Sequence, residues 1–159
     1  MPIETPDRRV SLREITQDTV RQVCKLVAEP TGFVAPNAVS IAQAYFHPEA
    51  WFRAVCADDE LVGFVMLEDS SLKAPPPAEL QVGLWRFMID VKHKRKGYGR
   101  AALRLVVKEV QLRHPELKRF ATSCVKAPGT PRPFYESLGF VFSGEMDGDE
   151  EIGWLALPA

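Results

Sequence analysis

The sequence predicts a mixed α/β fold, with one β-sheet and helices on its faces. Strand-like and helix-like patterns follow one another in the order βααββ–β–α–β–α–ββ, which is typical of that class. The chain has 159 residues, of which 46% are hydrophobic, so we expect residues 1–159 to form a single domain with its own core. Near its centre a buried strand runs through a basic, glycine-containing turn into an amphipathic helix.

The first third of the chain predicts one strand followed by two helices. Polar and apolar residues alternate over Arg8–Ile15, as in a half-buried strand. Apolar residues then recur at helical spacing in a segment that Asp18 can cap and that ends near Pro30. Pro36 opens a second short helix, which continues through Tyr45.

The rest of the chain predicts further strands separated by two more helices. Apolar runs bounded by turn residues indicate the strands, and the 3.6-residue period indicates the helices. In chain order these are a hairpin of Trp51–Cys56 and Leu61–Leu67, a buried strand at Leu84–Val91, a helix from Gly99 to about His114, a strand at Phe120–Val125, a short helix at Phe134–Leu138, and closing strands at Phe140–Phe142 and Ile152–Leu157 around an acidic turn, Glu145–Glu151.

Charge and hydrophobicity exclude several broad classes. The net charge of −1 gives the whole molecule no attraction to nucleic acid or to an anionic membrane. No apolar run approaches the roughly 20 residues that a membrane helix needs, and the N-terminal segment has no apolar stretch of the kind found in secretory signals. We therefore expect a cytoplasmic protein that binds neither nucleic acid nor membrane.

The cysteines and histidines predict no metal site. The three cysteines are odd in number, lie far apart and stand in apolar runs, a pattern typical of reduced core thiols in a cytoplasmic protein. The histidines show no ligand spacing with one another or with the cysteines. The residues concerned are Cys24, Cys56, Cys124, His47, His93 and His114.

The basic turn predicts a site for a phosphate or a diphosphate. Gly97 and Gly99 stand between a buried strand and a helix, where glycine lets the backbone approach a ligand and present its N–H groups. The helix N-terminus and the basic residues around it add positive charge. A solvated charge run is the alternative that charge alone would favour, and basic runs also occur in nucleic-acid contacts. The two glycines at this joint favour the phosphate site.

Dinucleotide binding is a weaker alternative for the same turn. Gly97–Ala102 fits the G-x-G-x-x-A fingerprint. That fingerprint requires an acidic residue at the end of the next strand, but Lys126 follows the strand here. The chain after the helix is also too short for the rest of a doubly wound sheet.

Two motifs together resemble the GNAT superfamily of N-acetyltransferases. Lys94–Gly99 looks like that family's pyrophosphate motif, Q/R-x-x-G-x-G/A, with Lys94 in place of Gln or Arg. Pro133–Phe140 resembles its later F-Y-x-x-L-G-F motif, although Pro128 stands where an Asn that contacts the CoA arm is often found. The resemblance implies the GNAT fold, with a mixed, mostly antiparallel sheet of six to seven strands and about four helices.

The resemblance implies direct transfer of an acetyl group from acetyl-CoA, the cosubstrate, to a primary amine, with no metal. The turn would hold the diphosphate, and main-chain N–H groups near Ile89 and Val91 would polarise the thioester carbonyl. Tyr135 would be the catalytic residue that protonates the departing thiolate, since a phenol pKa of about 10 lies not far above the ~8.5 of a thiol. The cofactor-binding residues implied are Met88, Ile89, Val91, Lys94, Arg95, Lys96, Gly97, Tyr98, Gly99 and Arg100.

The acceptor is expected to be a small-molecule amine. Phe33–Ala44 is similar to the same region of bacterial spermine/spermidine acetyltransferase-like members, and the Glu145–Glu151 turn could attract a polycation, so a polyamine-like acceptor is favoured. A peptide or protein amine and a non-catalytic acyl-CoA-binding module are the alternatives, and a homodimer would be common for the family. Four carboxylates, expected at the surface, are candidates for a general base: Glu68, Asp69, Glu79 and Asp90.

Overall fold

A computed structural model describes residues 6–28 and 34–158. Within them, seven strands form one sheet in the spatial order β1-β2-β3-β4-β5-β7-β6, with four α-helices. Neighbouring strands are antiparallel except β4 and β5, which are parallel. The elements are β1 (Val10–Arg13), α1 (Val20–Cys24), α2 (Asn37–Phe46), β2 (Ala50–Ala57), β3 (Glu60–Asp69), β4 (Val82–Ile89), α3 (Tyr98–Arg113), β5 (Arg119–Val125), α4 (Arg132–Ser137), β6 (Val141–Asp147) and β7 (Glu150–Ala156).

The predicted fold class and order of elements are confirmed, and the largest difference lies in the last hairpin. The predicted acidic turn Glu145–Glu151 is mostly strand, because β6 continues to Asp147 and β7 begins at Glu150. Only Gly148 and Asp149 lie between the two strands, and Gly148 has a φ of 62°, which suits a tight hairpin turn.

The first strand and the first helix are shorter than the sequence predicts. The strand comprises only Val10–Arg13. The helix ends at Cys24, whereas its predicted end near Pro30 lies outside the described residues. Its N-cap residue is Thr19 rather than Asp18, and no side chain caps it.

The short first helix is explained by two hydrogen bonds between Val27, which follows α1, and the residues just after β4. The Asp90 carboxylate accepts a hydrogen bond from the Val27 N–H at 2.8 Å. In return the Val91 N–H donates to the Val27 carbonyl, also at 2.8 Å. Because the N–H and the carbonyl of Val27 bond to Asp90 and Val91, they are not available for a continued helix, and α1 ends before Val27.

Each face of the sheet carries its own apolar layer. Because side chains alternate along a strand, Val65 and Leu67 of β3 face one layer while Phe64 and Met66 face the other. The first layer contains α3 and α4, with Tyr98, Ala102, Leu103, Val106, Val110 and Tyr135 buried. The second contains α1 and α2, with Val23 buried and Ile41 and Ala44 packed against it.

β4 separates from β5 soon after the two strands meet. They are paired only at Gly83 with Ala121. On its other side β4 pairs with β3 up to Ile89, with a register shift that places Trp85 as an extra residue, as in a β-bulge. The split therefore opens the sheet next to residues 85–89, where the backbone groups of β4 that point away from β3 have no strand partner among the described residues.

Gly63 fixes the spacing of β3 and β4 beside this opening. A Cβ atom there would lie 2.5 Å from the Met88 carbonyl oxygen and 2.7 Å from Cδ1 of Ile89. We expect Gly63→Ala to lower the free energy of unfolding by about 1–3 kcal/mol, as overpacking does, because a backbone carbonyl cannot move aside as a side chain can. Thermal unfolding measures the effect, and an unchanged melting temperature would contradict this contact.

Candidate active site

The turn between β4 and α3 has the backbone of an anion site. Arg95 and Gly97 both adopt left-handed conformations, with φ of 63° and 80°, and such turns orient successive N–H groups to one side. Gly97 is the N-cap residue of α3, yet no side chain caps that helix and its first turn contains no acidic residue. The first N–H groups of α3 and its positive end are thus left for an anion.

A cleft of about 570 Å³ opens on this turn, and we name it the turn cleft. A Cβ added at Gly99 would lie 3.3 Å from the ring of Phe134, a tight contact that the ring would have to relieve by moving slightly. All the predicted cofactor-binding residues except Val91 and Lys96 line it: Met88, Ile89, Lys94, Arg95, Gly97, Tyr98, Gly99 and Arg100. The remaining lining comes from Ala28, Val34, Phe87, His93, Gly129, Pro131 and Phe134.

Two of the predicted contacts must be revised. The Val91 N–H, predicted to polarise a carbonyl, is already donated to Val27 at 2.8 Å, so it is not available to a ligand. The Tyr98 side chain is 2% exposed and belongs to the core, which leaves its main chain as the part that can meet a ligand.

The N–H of Ile89 faces the split between β4 and β5. The next N–H along, that of Asp90, donates to the Val62 carbonyl of β3 at 2.8 Å. Because N–H groups point to alternate sides of a strand, the Ile89 N–H points away from β3. It therefore lies at the edge from which β5 has diverged.

Tyr135 lies on α4 beside the same split and is buried, with 5% exposure. Its ring contacts those of Phe134 and Phe140 at centroid distances of 5.6 and 5.5 Å. Burial raises the pKa of the Tyr135 hydroxyl to about 12, although a hydrogen bond with Thr122 opposes the rise. The ordinary phenol pKa assumed from the sequence is therefore wrong, and Tyr135 is a protonated donor at any physiological pH.

Tyr135 lines a second cleft, of about 320 Å³, which we name the tyrosine cleft. Three residues, Val34, Phe87 and Pro131, line both this cleft and the turn cleft. The two clefts therefore meet at the split. The other residues of the tyrosine cleft are Ala35, Trp85, Arg86, Ser123, Cys124, Val125, Asp149 and Glu150.

None of the four carboxylates considered from the sequence lines the turn cleft or the tyrosine cleft. Asp69 and Asp90 are buried rather than at the surface. Asp90 is committed to the N–H groups of Val27 and Lys92. Glu68 and Glu79 line a third cleft of about 620 Å³, the acidic cleft, together with Glu145 and Asp147.

Asp69 has a structural role. Its carboxylate accepts from the Ser71 N–H at 3.0 Å and lies 2.7 Å from Nε2 of His114. Burial alone would raise the pKa of Asp69, but the hydrogen bonds from Ser71 and His114 outweigh it and hold the pKa below its usual value. A carboxylate with a low pKa is a poor base.

We expect Asp69→Asn to destabilise the fold and to leave turnover by the folded protein unchanged. Since the folded pKa is depressed, the ionised form stabilises the protein above the unfolded pKa of about 3.9, and that stability is lost as the pH falls through the folded value. Thermal unfolding between about pH 7 and pH 3 should show the native protein losing more stability than the variant. A variant that unfolds like the native protein throughout this range would contradict the role.

The prediction of buried, reduced cysteines is confirmed for two of the three residues. Cys56 and Cys124 are buried free thiols as predicted, but Cys24 is exposed because α1 turns it away from the core. In residues 6–28 and 34–158, no three His, Cys, Asp or Glu side chains come together as a metal site. No helix in those ranges is both long and apolar enough to span a membrane.

The sequence of residues 20–140 matches the family model described as the acetyltransferase (GNAT) family. The chain belongs to the GNAT family. The prediction from the two motifs is thereby confirmed at the level of the family, and the match does not reach the narrower polyamine-acetylating branch. No curated protein matches this GNAT chain.

Solved structures share the GNAT fold with this chain. An acetyltransferase from Thermus thermophilus has a TM-score of 0.72 and 15% identity, covering 96% of this chain and 100% of that one. The PaiA N-acetyltransferase from Thermoplasma acidophilum, solved with coenzyme A, has a TM-score of 0.65 and 15% identity, covering 94% of this chain and 99% of that one. A putative GNAT acetyltransferase from Desulfovibrio desulfuricans has a TM-score of 0.66 and 24% identity, covering 93% of this chain and 99% of that one. At these identities the likeness shows the fold alone.

Sequence reasoning gave no role to two side chains of this GNAT site, Arg86 and Thr122, and it considered Glu150 only as part of the Glu145–Glu151 turn that could attract a polycation. Thr122 and Glu150 come from β5 and β7, and only the tertiary fold brings them to Tyr135. Arg86 did leave a signal, because a charged residue inside the apolar run of β4 is costly unless it has a partner or a function.

Proposed function

We propose that this protein transfers the acetyl group of acetyl-CoA to a primary amine of a small molecule by direct attack of the amine. The observation that carries the proposal is the junction of the two clefts at the β4–β5 split. One cleft presents an uncapped helix N-terminus and a basic turn, and the other presents Tyr135. A diphosphate-bearing donor on one side and an amine on the other would meet at Phe87, which lines both clefts.

The turn fits the diphosphate of coenzyme A. Backbone N–H groups from Gly97 to Arg100 would donate to its oxygens, each charged hydrogen bond contributing about 1.5–3 kcal/mol. Arg100 is already held in place, since its guanidinium donates to Oγ of Ser137 at 3.0 Å. The N–H of Ile89 would polarise the thioester carbonyl, which acetyl-CoA supplies as the group that is attacked.

Tyr135 would donate its proton to the sulfur as the C–N bond forms and the C–S bond breaks. The attacking nitrogen would lose a proton to solvent, and solvent would reprotonate Tyr135. With a pKa of about 12, its hydroxyl is a weaker acid than a free phenol, so transfer is driven by the charge that develops on sulfur. We expect no loss of activity from ionisation of Tyr135 below about pH 11. A kcat profile that falls near pH 9 in native protein but not in Tyr135→Phe would contradict this.

For the acceptor, a polyamine is the finer hypothesis that the sequence favours. Asp149 and Glu150 line the tyrosine cleft, and their charge would attract an ammonium group. Arg86 lines the same cleft and would repel a second one. A polyamine would therefore have to place its far ammonium group away from Arg86.

A peptide or protein amine is the second candidate, and one feature favours it. The acidic cleft shares Ser123 with the tyrosine cleft, so an elongated acceptor could continue from one into the other. A non-catalytic acyl-CoA-binding module remains the alternative of another class. It would bind acetyl-CoA through the turn and release no thiol with any amine.

Release of the CoA thiol from acetyl-CoA in the presence of different amines tests the proposal. Spermine, spermidine, amino acids, aminoglycosides and short peptides form the panel. We expect at least one small amine to be acetylated, with the product confirmed by mass. Acetyl-CoA binding without thiol release for every amine would overturn the catalytic proposal and leave the binding module.

The expected cellular setting is part of the proposal. Buried free thiols at Cys56 and Cys124 support a reducing compartment such as the cytoplasm. The absence of nucleic-acid binding and the homodimer expected for the family both stay predictions, which salt-dependent binding assays and light scattering would check.

A further inference from the structure

Arg86 is a half-buried cation in the wall of the tyrosine cleft. It extends from β4 toward α2, where Nη2 donates to Oε1 of Gln43 at 3.3 Å. Its Nη1 donates to the Trp85 carbonyl at 3.1 Å. Both contacts orient the guanidinium group without neutralising its charge.

The hydrogen bonding of Arg86 is incomplete. A guanidinium group has five N–H donors, and two neutral oxygens accept from it here. Its Nε is buried and has no hydrogen-bond partner. Within the described ranges, no carboxylate lies within 4.0 Å of the group. Removing part of the water around a cation without pairing it with an anion costs free energy.

Arg53 shows what a purely structural arginine looks like in the same protein. It is also partly buried, but its guanidinium group lies over the Trp51 ring, 4.4 Å from the centroid. It also has Glu14 at 3.7 Å, and it lines none of the three clefts described above. Arg86 also lies over a ring, 5.7 Å from the centroid of Trp85, but among the described residues it has no carboxylate comparable to Glu14, and it lines a cleft that a substrate can enter.

The tyrosine cleft also contains an anion that does not pair with Arg86. The Glu150 carboxylate accepts a hydrogen bond from the Ser123 hydroxyl at 3.2 Å. It is near enough to oppose the lowering of the Arg86 pKa that burial causes, yet more than 4.0 Å away. One cleft thus presents a separated cation and anion, which together complement a zwitterion.

We propose that the acceptor carries a carboxylate beside its amine, as an amino acid does, and that Arg86 binds this carboxylate. The inference rests on the proposed acetyl transfer and specifies the class of its acceptor. A carboxylate would supply the acceptor oxygens that the guanidinium group lacks, in the paired geometry that arginine favours. Glu150 would face the amino end, and the aromatic rings of Trp85 and Phe87 would contact the apolar part.

Matched pairs of acceptors test the inference on the native protein. Each pair consists of an amino acid and the amine left when its carboxylate is removed: lysine with cadaverine, ornithine with putrescine, and phenylalanine with phenethylamine. We expect kcat/KM for thiol release to favour the amino acid by about tenfold or more in the best pair. The inference would be overturned if the decarboxylated amine were acetylated as fast as the amino acid, or faster, in every pair, or if polyamines alone were acetylated. Either result would leave the proposed function standing.

Two variants then assign the effect to Arg86. Arg86→Gln should raise the KM of the amino acid and leave the KM for acetyl-CoA unchanged. The kcat/KM values of the amino acid and of its decarboxylated amine should then agree within about twofold. Arg53→Gln is the control, and it should keep the preference of the native protein. A preference that survives in Arg86→Gln would contradict the role of Arg86. If acetyl-CoA binds but no amine of any kind is acetylated, the proposed function itself fails.

Discussion

Replacing Tyr135 with phenylalanine is expected to lower kcat by about a hundredfold or more, which is the range of a general acid. The change removes only the hydroxyl and keeps the ring, which packs against Phe134 and Phe140. The KM for acetyl-CoA should change little, because the turn that would hold the diphosphate is untouched. Steady-state thiol release with the best acceptor of the panel measures both constants.

Tyr45 provides the matched control for this variant. It is 86% exposed at the end of α2, so Tyr45→Phe should keep native kcat and stability. Thermal unfolding of Tyr135→Phe separates lost chemistry from lost packing, since its hydroxyl also bonds to Thr122. Full turnover by a folded Tyr135→Phe at every pH would remove the proton-donor role.

Replacing Gly97 with alanine is expected to weaken acetyl-CoA binding by about tenfold. Gly97 has a φ of 80° and begins α3, and an L-residue with a side chain adopts that conformation only at a cost of about 1–2 kcal/mol. Relief of the strain would turn the first N–H groups of α3 away from the diphosphate. Calorimetric titration with coenzyme A measures the affinity directly.

Gly144→Ala is the control that separates the effect of backbone strain on stability from its effect on coenzyme A binding. Gly144 has a φ of 90°, and a Cβ added there would meet no atom within 4 Å. Gly144→Ala should therefore lose stability much as Gly97→Ala does, while keeping native affinity for coenzyme A. Equal affinities in the two variants would mean that the Gly97 turn does not hold the diphosphate.

The turn and its helix could be predicted because their signals are local. Gly97 and Gly99, the basic residues and the 3.6-residue period of α3 all lie within one stretch of sequence, and each agrees with the others. The second motif placed Tyr135 on a short helix, and the structure has it there. A prediction from such local signals does not require knowing which distant residues each one contacts.

The features that could not be predicted depend on partners far along the chain. The carboxylate of Asp90 caps Val27 across a separation of 63 residues, so nothing near Asp90 in the sequence indicated its burial. The split of β4 from β5 lies beside the bulge at Trp85 and just after the single pairing of Gly83 with Ala121. Register of this kind is set by the whole sheet.

The chemistry of the acceptor side could not be predicted from the sequence for the same reason. The raised pKa of Tyr135 is caused by its burial in the apolar layer that α3, α4 and the sheet form together. Arg86 and Glu150 lie far apart in the sequence, and only the fold places them in one cleft. Sequence patterns indicate which residues are unusual, and the structure shows what they face.

The central claim is that the turn between β4 and α3 binds coenzyme A at a site that opens onto Tyr135. Calorimetric titration of the native protein with coenzyme A tests it most directly. We expect one molecule to bind per chain, acetyl-CoA to compete, and Gly97→Ala to weaken both. An absence of heat, together with no displacement of acetyl-CoA in a competition assay, would contradict the claim.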